Sequence, residues 1–204
     1  MWYVSVQSQG SVTRATLLDG AVDFAAANGL SDVSLRQMAA ALGTSHRMLI
    51  YHFGSKEGLL VEVVNEVERR QREAMLALGS DETVSPAEAL RAMWQTLADS
   101  SLWPFERLFF EVYGQALQGR PHMGSFLDGV VDSWLEPATA LGMRMGLRRR
   151  DARAWARLGL AVTRGILLDL LATGDRKGCD AAIEKFVASL PPELSGGTGG
   201  AETG

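Results

Sequence analysis

The chain lacks most of the devices by which a protein is held together or anchored other than through an apolar core. A single cysteine in 204 residues, Cys179, excludes an internal disulfide, and three histidines give no Cys/His set at metal-ligand spacing, so neither structural zinc nor another metal or cofactor is expected. No apolar run approaches the roughly 20 residues of a membrane helix. The first charge is Arg14, without the basic-then-apolar layout of a leader, so a cytoplasmic protein with no membrane partner is expected. Cationic excess is missing too: 20 Lys and Arg face 24 Asp and Glu, a net charge of -4. With a pI near 5.4, this excludes indiscriminate coating of nucleic acid and requires any DNA binding to be local. Lysine is scarce, limited to Lys56, Lys177 and Lys185, which leaves 17 arginines. What is present is ordinary globular composition, 47% hydrophobic and 22% charged, enough for one large domain or two small ones.

Strand signatures are also missing, because no segment alternates apolar and polar residues over strand length between turn pairs. Apolar residues instead recur three and four apart, predicting an all-α chain of about nine helices. The first runs from about Thr13 to Asn28, with Leu17, Leu18, Ala21, Val22 and Ala25 on one stripe and Gly29 beyond it. The second starts behind Ser34, whose hydroxyl can cap the amide of Gln37, and ends at Gly43; Thr44 and the cap Ser45 lead into a third, His46 to His52. After Gly54 and the cap Ser55, a fourth runs from Lys56 to about Leu78. Ser85 and Pro86 start a fifth, to about Ser100, and Pro104 opens a sixth ending near Gly119. A seventh is expected over Met123 to Met145, kinked or split at Pro137, an eighth over Asp151 to Ala172, and a ninth over Cys179 to Leu190. Residues 1–12 read as a flexible arm and 193–204 as a disordered tail after Pro191-Pro192.

The two short helices from Ser34 to His52, joined by a tight glycine-containing turn, fit a helix-turn-helix whose second member enters the major groove. The period of that member places Met48, Leu49, His52 and Phe53 on one side and His46, Arg47, Ile50 and Tyr51 on the other. Arg47 can pair with the two acceptors of guanine, and Tyr51 can reach a phosphate. Lys56 joins an ammonium to the amides and positive dipole of a helix amino end, which suits a phosphate oxygen, and Ser34 can act similarly. Over residues 13–56 the side chains sum to only about +1, so useful affinity asks for two copies reading two half-sites.

The run from Val33 to Leu60, VSLRQMAAALGTSHRMLIYHFGSKEGLL, resembles the DNA-binding region of TetR-family bacterial transcriptional regulators. The marks are Ala39, Gly43, Ser45, Leu49, Tyr51-His52-Phe53, Ser55-Lys56-Glu57 and Leu59, with Arg14 and Gly29 fitting around the first helix. The resemblance implies an amino-terminal DNA-binding domain, residues 13–60, and a helical ligand-binding and dimerisation domain, residues 61–192. It also implies a homodimer on double-stranded palindromic operator DNA, released by a small-molecule effector. DNA contacts are expected from Arg14, Ser34, Gln37, Thr44, Ser45, His46, Arg47, Met48, Tyr51, His52 and Lys56. Three departures stand out: Ile50 replaces a frequent aromatic residue, Thr44 a usual small apolar one, and Ser45-His46-Arg47-Met48 is bulkier than the common Ser-x-Gly-Thr.

Large apolar residues dominate the second domain, which predicts a core and a mostly apolar effector pocket. Candidate lining residues are Trp94, Phe109, Phe110, Tyr113, Met123, Phe126 and Trp134, with polar groups drawn from Gln95, Glu106, Tyr113, Gln115 and His122. Leu158, Val162, Gly165 and Leu168 of the eighth helix and Phe186 and Val187 of the ninth are the candidate dimer interface, the mid-helix glycine admitting a close neighbour. The arginines between Arg144 and Arg157 read as a solvated, partly paired surface. A bundle enzyme lacks its inventory here: there is no Glu-x-x-His pair, no glycine-rich phosphate loop and no Ser/His/acid set. The remaining alternative is an effector-independent DNA-binding regulator with a structural carboxyl-terminal domain.

Overall fold

A computed structural model of the chain describes residues 13–28, 33–81, 83–121, 123–144 and 146–190. The arm 1–12, the tail 193–204, Gly29, His122, Met145 and Pro191-Pro192 lie outside the described residues. Among the described residues the fold is all-α: α1 (Arg14–Asn28), α2 (Leu35–Ala41), α3 (His46–Phe53), α4 (Lys56–Ser80), α5 (Pro86–Leu97), α6 (Trp103–Leu117), α7 (Asp132–Arg144), α8 (Arg149–Thr173) and α9 (Arg176–Ala188). A short 3-10 turn, Gly124–Leu127, separates α6 from α7.

Local chemistry sets most of these limits. Ser34 with Gln37 and Ser85 with Glu88 form reciprocal capping boxes at α2 and α5, satisfying amides that a helix start otherwise leaves unpaired. The expected seventh helix is shorter than its hydrophobic pattern, and its break lies at Gly129, which adopts φ 83°, rather than at Pro137. Pro137 sits inside an uninterrupted α7, at the cost of one backbone hydrogen bond. The last helix begins three residues earlier than its apolar pattern, because the Asp175 carboxylate accepts the amide of Gly178 at 2.9 Å and caps α9.

Two apolar cores organise the chain. One joins α1–α3 to the first half of α4 and continues into α6 and the 3-10 turn through Leu108, Phe109, Val112 and Phe126. The other lies among α5, α7, α8 and α9, around Trp94, Trp134, Leu170 and Ile183. The amino-terminal helices therefore rest directly on α6, and α4 passes through the cores from one end towards the other.

Candidate nucleic-acid interface and effector cavity

The geometry of α2 and α3 follows from caps and one left-handed residue. Gly43 takes φ 63°, the Thr44 amide donates to the Ala39 carbonyl at 2.9 Å, and Ser45 Oγ accepts the Met48 amide at 3.2 Å. At roughly 100° per residue, Leu49, Ile50 and Phe53 form the inward arc of α3. Met48 then points away from the core, 37% exposed, beside exposed His46 and Arg47, while Tyr51 is 78% exposed. Met48 and Ile50 thus exchange the sides read from the sequence. The amino end of so short a helix reaches past the core, so the inward arc centres nearer Phe53 than Met48.

His52 is half-buried, edge-on to Tyr51 with ring centroids 5.0 Å apart, and its buried Nε2 has no hydrogen-bond partner among the described residues. Arg14 faces inward as much as outward: it pairs with Glu62 at 2.7 Å and stacks over Phe53, 5.3 Å from the ring centre, tying α1 to α4. Ser34 and Gln37 are exposed but occupied with each other in the capping box. Thr44 and Lys56 are half-buried at the turn and at the start of α4. Gly54, at φ 78°, reverses the chain into α4, where Ser55 Oγ accepts the Gly58 amide at 2.9 Å. A β-carbon at Gly58 would lie 2.2 Å from the Phe53 carbonyl oxygen, so only glycine permits this junction without a backbone shift.

The second site is a cavity of about 120 Å³ bounded by α4 to α9. Its walls are mostly apolar, with Met93 and Leu97 from α5, Trp134 and Leu141 from α7, Trp155, Leu160 and Leu167 from α8, and Phe186 from α9. Polar groups enter along one side: Glu68 and Gln71 from α4, Glu106 from α6, and Thr163 and Arg164 from α8. Glu68 accepts the Trp134 indole N–H and lies 3.7 Å from Arg72 and 3.8 Å from Arg164. Burial pushes its carboxyl above the usual range against these three opposing partners. Glu106, 3% exposed, accepts Gln71 Nε2–H at 2.6 Å, and burial drives its carboxyl up to about 7, with Glu68 pushing the same way. Arg164 donates to the Val130 carbonyl at 3.0 Å and stacks over Phe109 and Tyr113, at 5.0 and 5.8 Å.

Of the seven expected lining residues, Phe109 and Trp134 border this cavity. Tyr113, Met123 and Phe126 instead pack with Phe109 in the core shared with α1–α3, where Tyr113 stacks on Phe109 and Phe126 meets both edge-on. Phe110 spans the two cores, and Trp94 is buried against α9, donating its indole N–H to Asp180 at 2.6 Å. Of the expected polar groups among the described residues, only Glu106 borders the cavity; Gln95 accepts from Arg176, and Gln115 donates to Glu111 at 3.1 Å. Glu68, Gln71 and Arg164 were missed by sequence reasoning. Their signal is a polar residue interrupting an apolar stripe, as in Val64, Glu68, Gln71, Met75 and in Leu160, Arg164, Leu167.

On α8, Leu158 and Leu168 are exposed, Val162 is half-buried, and a β-carbon at Gly165 would meet nothing within 4 Å. Phe186 turns inward to the cavity and Val187 is buried within the chain, because the inner stripe of α9 runs through Ile183 and Val187. The arginines before and within α8 pair with acids, Arg148 with Asp151 at 2.9 Å and Arg153 with Asp132 at 2.7 Å. No helix of the described residues is long and apolar enough to cross a membrane.

Comparison with known proteins bears on both sites. A family model described as bacterial regulatory proteins, tetR family, matches residues 17–63, the segment that builds α1–α3 and the start of α4. No curated protein matches the chain. Among solved structures, a TetR transcriptional regulator from Legionella pneumophila superposes with a TM-score of 0.62 at 17% identity, over 87% of this chain and 98% of that one. A Rhodococcus sp. RHA1 protein taken to be a transcriptional regulator gives 0.70 at 21% identity, over 89% and 98%. One from Saccharomonospora viridis, likewise taken to be a regulator and solved in complex with choline, gives 0.65 at 20%, over 88% and 97%. Residues 17–63 thus match the model of the bacterial regulatory proteins of the tetR family, and the chain as a whole shares the helical fold of these solved structures.

Proposed function

We propose that this chain is a ligand-responsive repressor, acting in the cytoplasm as a homodimer on a palindromic operator and released by a small, mostly apolar effector. Residues 13–60 form the reading head and 61–192 the effector and dimer domain. His46, Arg47, Met48 and Tyr51 face the major groove, with Ser45, Thr44 and His52 at its edge. Lys56, Ser34, Gln37 and Arg14 serve the phosphate backbone, Arg14 by holding α1 against α4. The outer face of α8, with Leu158, Val162, Gly165 and Leu168, meets its copy in the partner.

The observation that carries this reading is the course of α4. Its amino end, Ser55 to Gly58, is keyed to α3, and its middle supplies Glu68 and Gln71 to the cavity. Twelve residues separate Lys56 from Glu68, about 18 Å of helix. A ligand that prefers one tilt of α4 changes the spacing of two reading heads, which must match the roughly 34–36 Å of one DNA turn. The small cavity volume favours the alternative, an effector-independent regulator, whereas its lining of aromatic rings beside an under-paired buried carboxyl supports an effector site.

The test is a gel-shift series on DNA selected from random sequence. Arg47→Ala should abolish sequence discrimination, whereas Lys56→Ala should weaken all sequences alike and lower the salt slope by about one. An unchanged operator preference in Arg47→Ala refutes the groove-reading role.

A further inference from the structure

The cavity contains one polar group that the chain leaves short of partners. Glu68 has an indole N–H and two guanidinium groups. Arg164 donates one hydrogen bond, to the Val130 carbonyl, lies 3.8 Å from Glu68 and stacks its face on two rings. Glu106 has the Gln71 amide alone, with no guanidinium or ammonium within 4.0 Å among the described residues, although it is only 3% exposed. A carboxyl so placed either keeps its proton or takes a cation from outside the chain. The aromatic lining divides in the same way. Trp134 lies under Arg72 and Phe109 under Arg164, whereas Trp155 and Phe186 have no stacked cation among the described residues. A volume of about 120 Å³ is close to that of a cavity known to admit benzene, about 150 Å³.

We propose that this cavity takes a small monoamine, a compact apolar or aromatic body carrying one protonated nitrogen, with the ammonium paired to Glu106 and the apolar part against Trp155 and Phe186. The assignment rests on the reading of the cavity as the effector site and specifies the class of effector. Binding draws Glu106 into its carboxylate form, so a proton leaves the protein as the amine enters. The charged groups that act on Glu106 are Glu68 of α4, which raises its carboxyl, and Arg164 of α8, which lowers it. Neither pairs with it directly: among the described residues Arg164 lies within 4.0 Å of Glu68 and not of Glu106.

Calorimetric titration of the full-length protein with benzylamine, benzyl alcohol and benzoate tests this. Benzylamine should bind about tenfold or more tighter than benzyl alcohol, with benzoate weakest, and the preference should shrink to about threefold or less in Glu106→Gln. At pH 6, titration in buffers of different ionisation enthalpy should show close to one proton released per benzylamine by the wild type and none by Glu106→Gln. The wild-type proton count stands even if the variant folds poorly. Tighter binding of benzoate, an amine preference that survives Glu106→Gln, or no heat from benzylamine at millimolar concentration overturns the assignment. DNA binding is read separately. Benzylamine held by Glu106 without loss of DNA affinity supports the ligand class and removes effector release, whereas intact DNA binding with no amine binding removes the ligand class alone.

Discussion

Replacing Glu106 by Gln should make this protein more stable, by an amount that depends on pH. The folded chain raises the Glu106 carboxyl from 4.5 to about 7, chiefly because the group is buried. Between those values the folded state keeps a proton that the unfolded state has released, so stability falls as pH rises through the window and levels off above it. At about 1.4 kcal/mol per pH unit of differential protonation, the window corresponds to about 3 kcal/mol. Glutamine is isosteric with the protonated acid, can still accept the Gln71 amide, and carries no such penalty. Glu106→Gln and wild type should therefore be equally stable near pH 4. At pH 8 the variant should gain about 3 kcal/mol, about 6–12 °C in Tm for a chain of this size. Glu68, also raised by burial, is common to both proteins, and Glu66, held down at about 2 by Arg69 and Arg70, titrates below the window. Urea unfolding at pH 4, 6 and 8, at fixed protein concentration, supplies the measurement. A wild-type-to-variant difference that does not change with pH would falsify the placement of an unpaired, proton-holding carboxyl in the cavity wall.

Three further outcomes follow from geometry. Gly58→Ala should cost about 1–3 kcal/mol and weaken DNA binding, since the new methyl must displace the Phe53 carbonyl that links α3 to α4; wild-type thermal unfolding and DNA affinity in the variant would contradict this. In α3, Tyr51→Ala should leave stability within about 0.5 kcal/mol and reduce DNA affinity, whereas fully buried Leu49→Ala should cost about 2–5 kcal/mol; denaturant melts and gel shifts on both variants separate the two roles. Leu158→Glu with Leu168→Glu, both exposed on the outer face of α8, should give a folded monomer in sedimentation velocity at micromolar concentration, and a persistent dimer would move the interface elsewhere.

The α1–α3 segment was legible in the sequence because its determinants are local. Ser34 and Gln37, Gly43, Ser45, Gly54 and Ser55 act on amides and dihedrals within three or four residues, so caps, turns and the inward Leu49 and Phe53 follow from spacing alone. All-α character and most helix limits follow for the same reason. Where local signals competed, the pattern misled. The hydrophobic run from Met123 concealed the break at Gly129, and the apolar stripe of α9 concealed the cap at Asp175. The cavity belongs to tertiary structure, because Glu68, Gln71, Glu106, Trp155, Arg164 and Phe186 come from four helices whose relative rotation no periodicity specifies. Aromatic content alone pointed to Tyr113 and Phe126, which fill the core under α1–α3, and the apolar stripe of α9 pointed to Val187 as an interface residue, which packs inside the chain. Composition showed that this acidic protein could bind DNA only locally; packing decided which glutamate was buried with a single hydrogen bond in a mostly apolar cavity wall, where charge is costly and a partner is most needed.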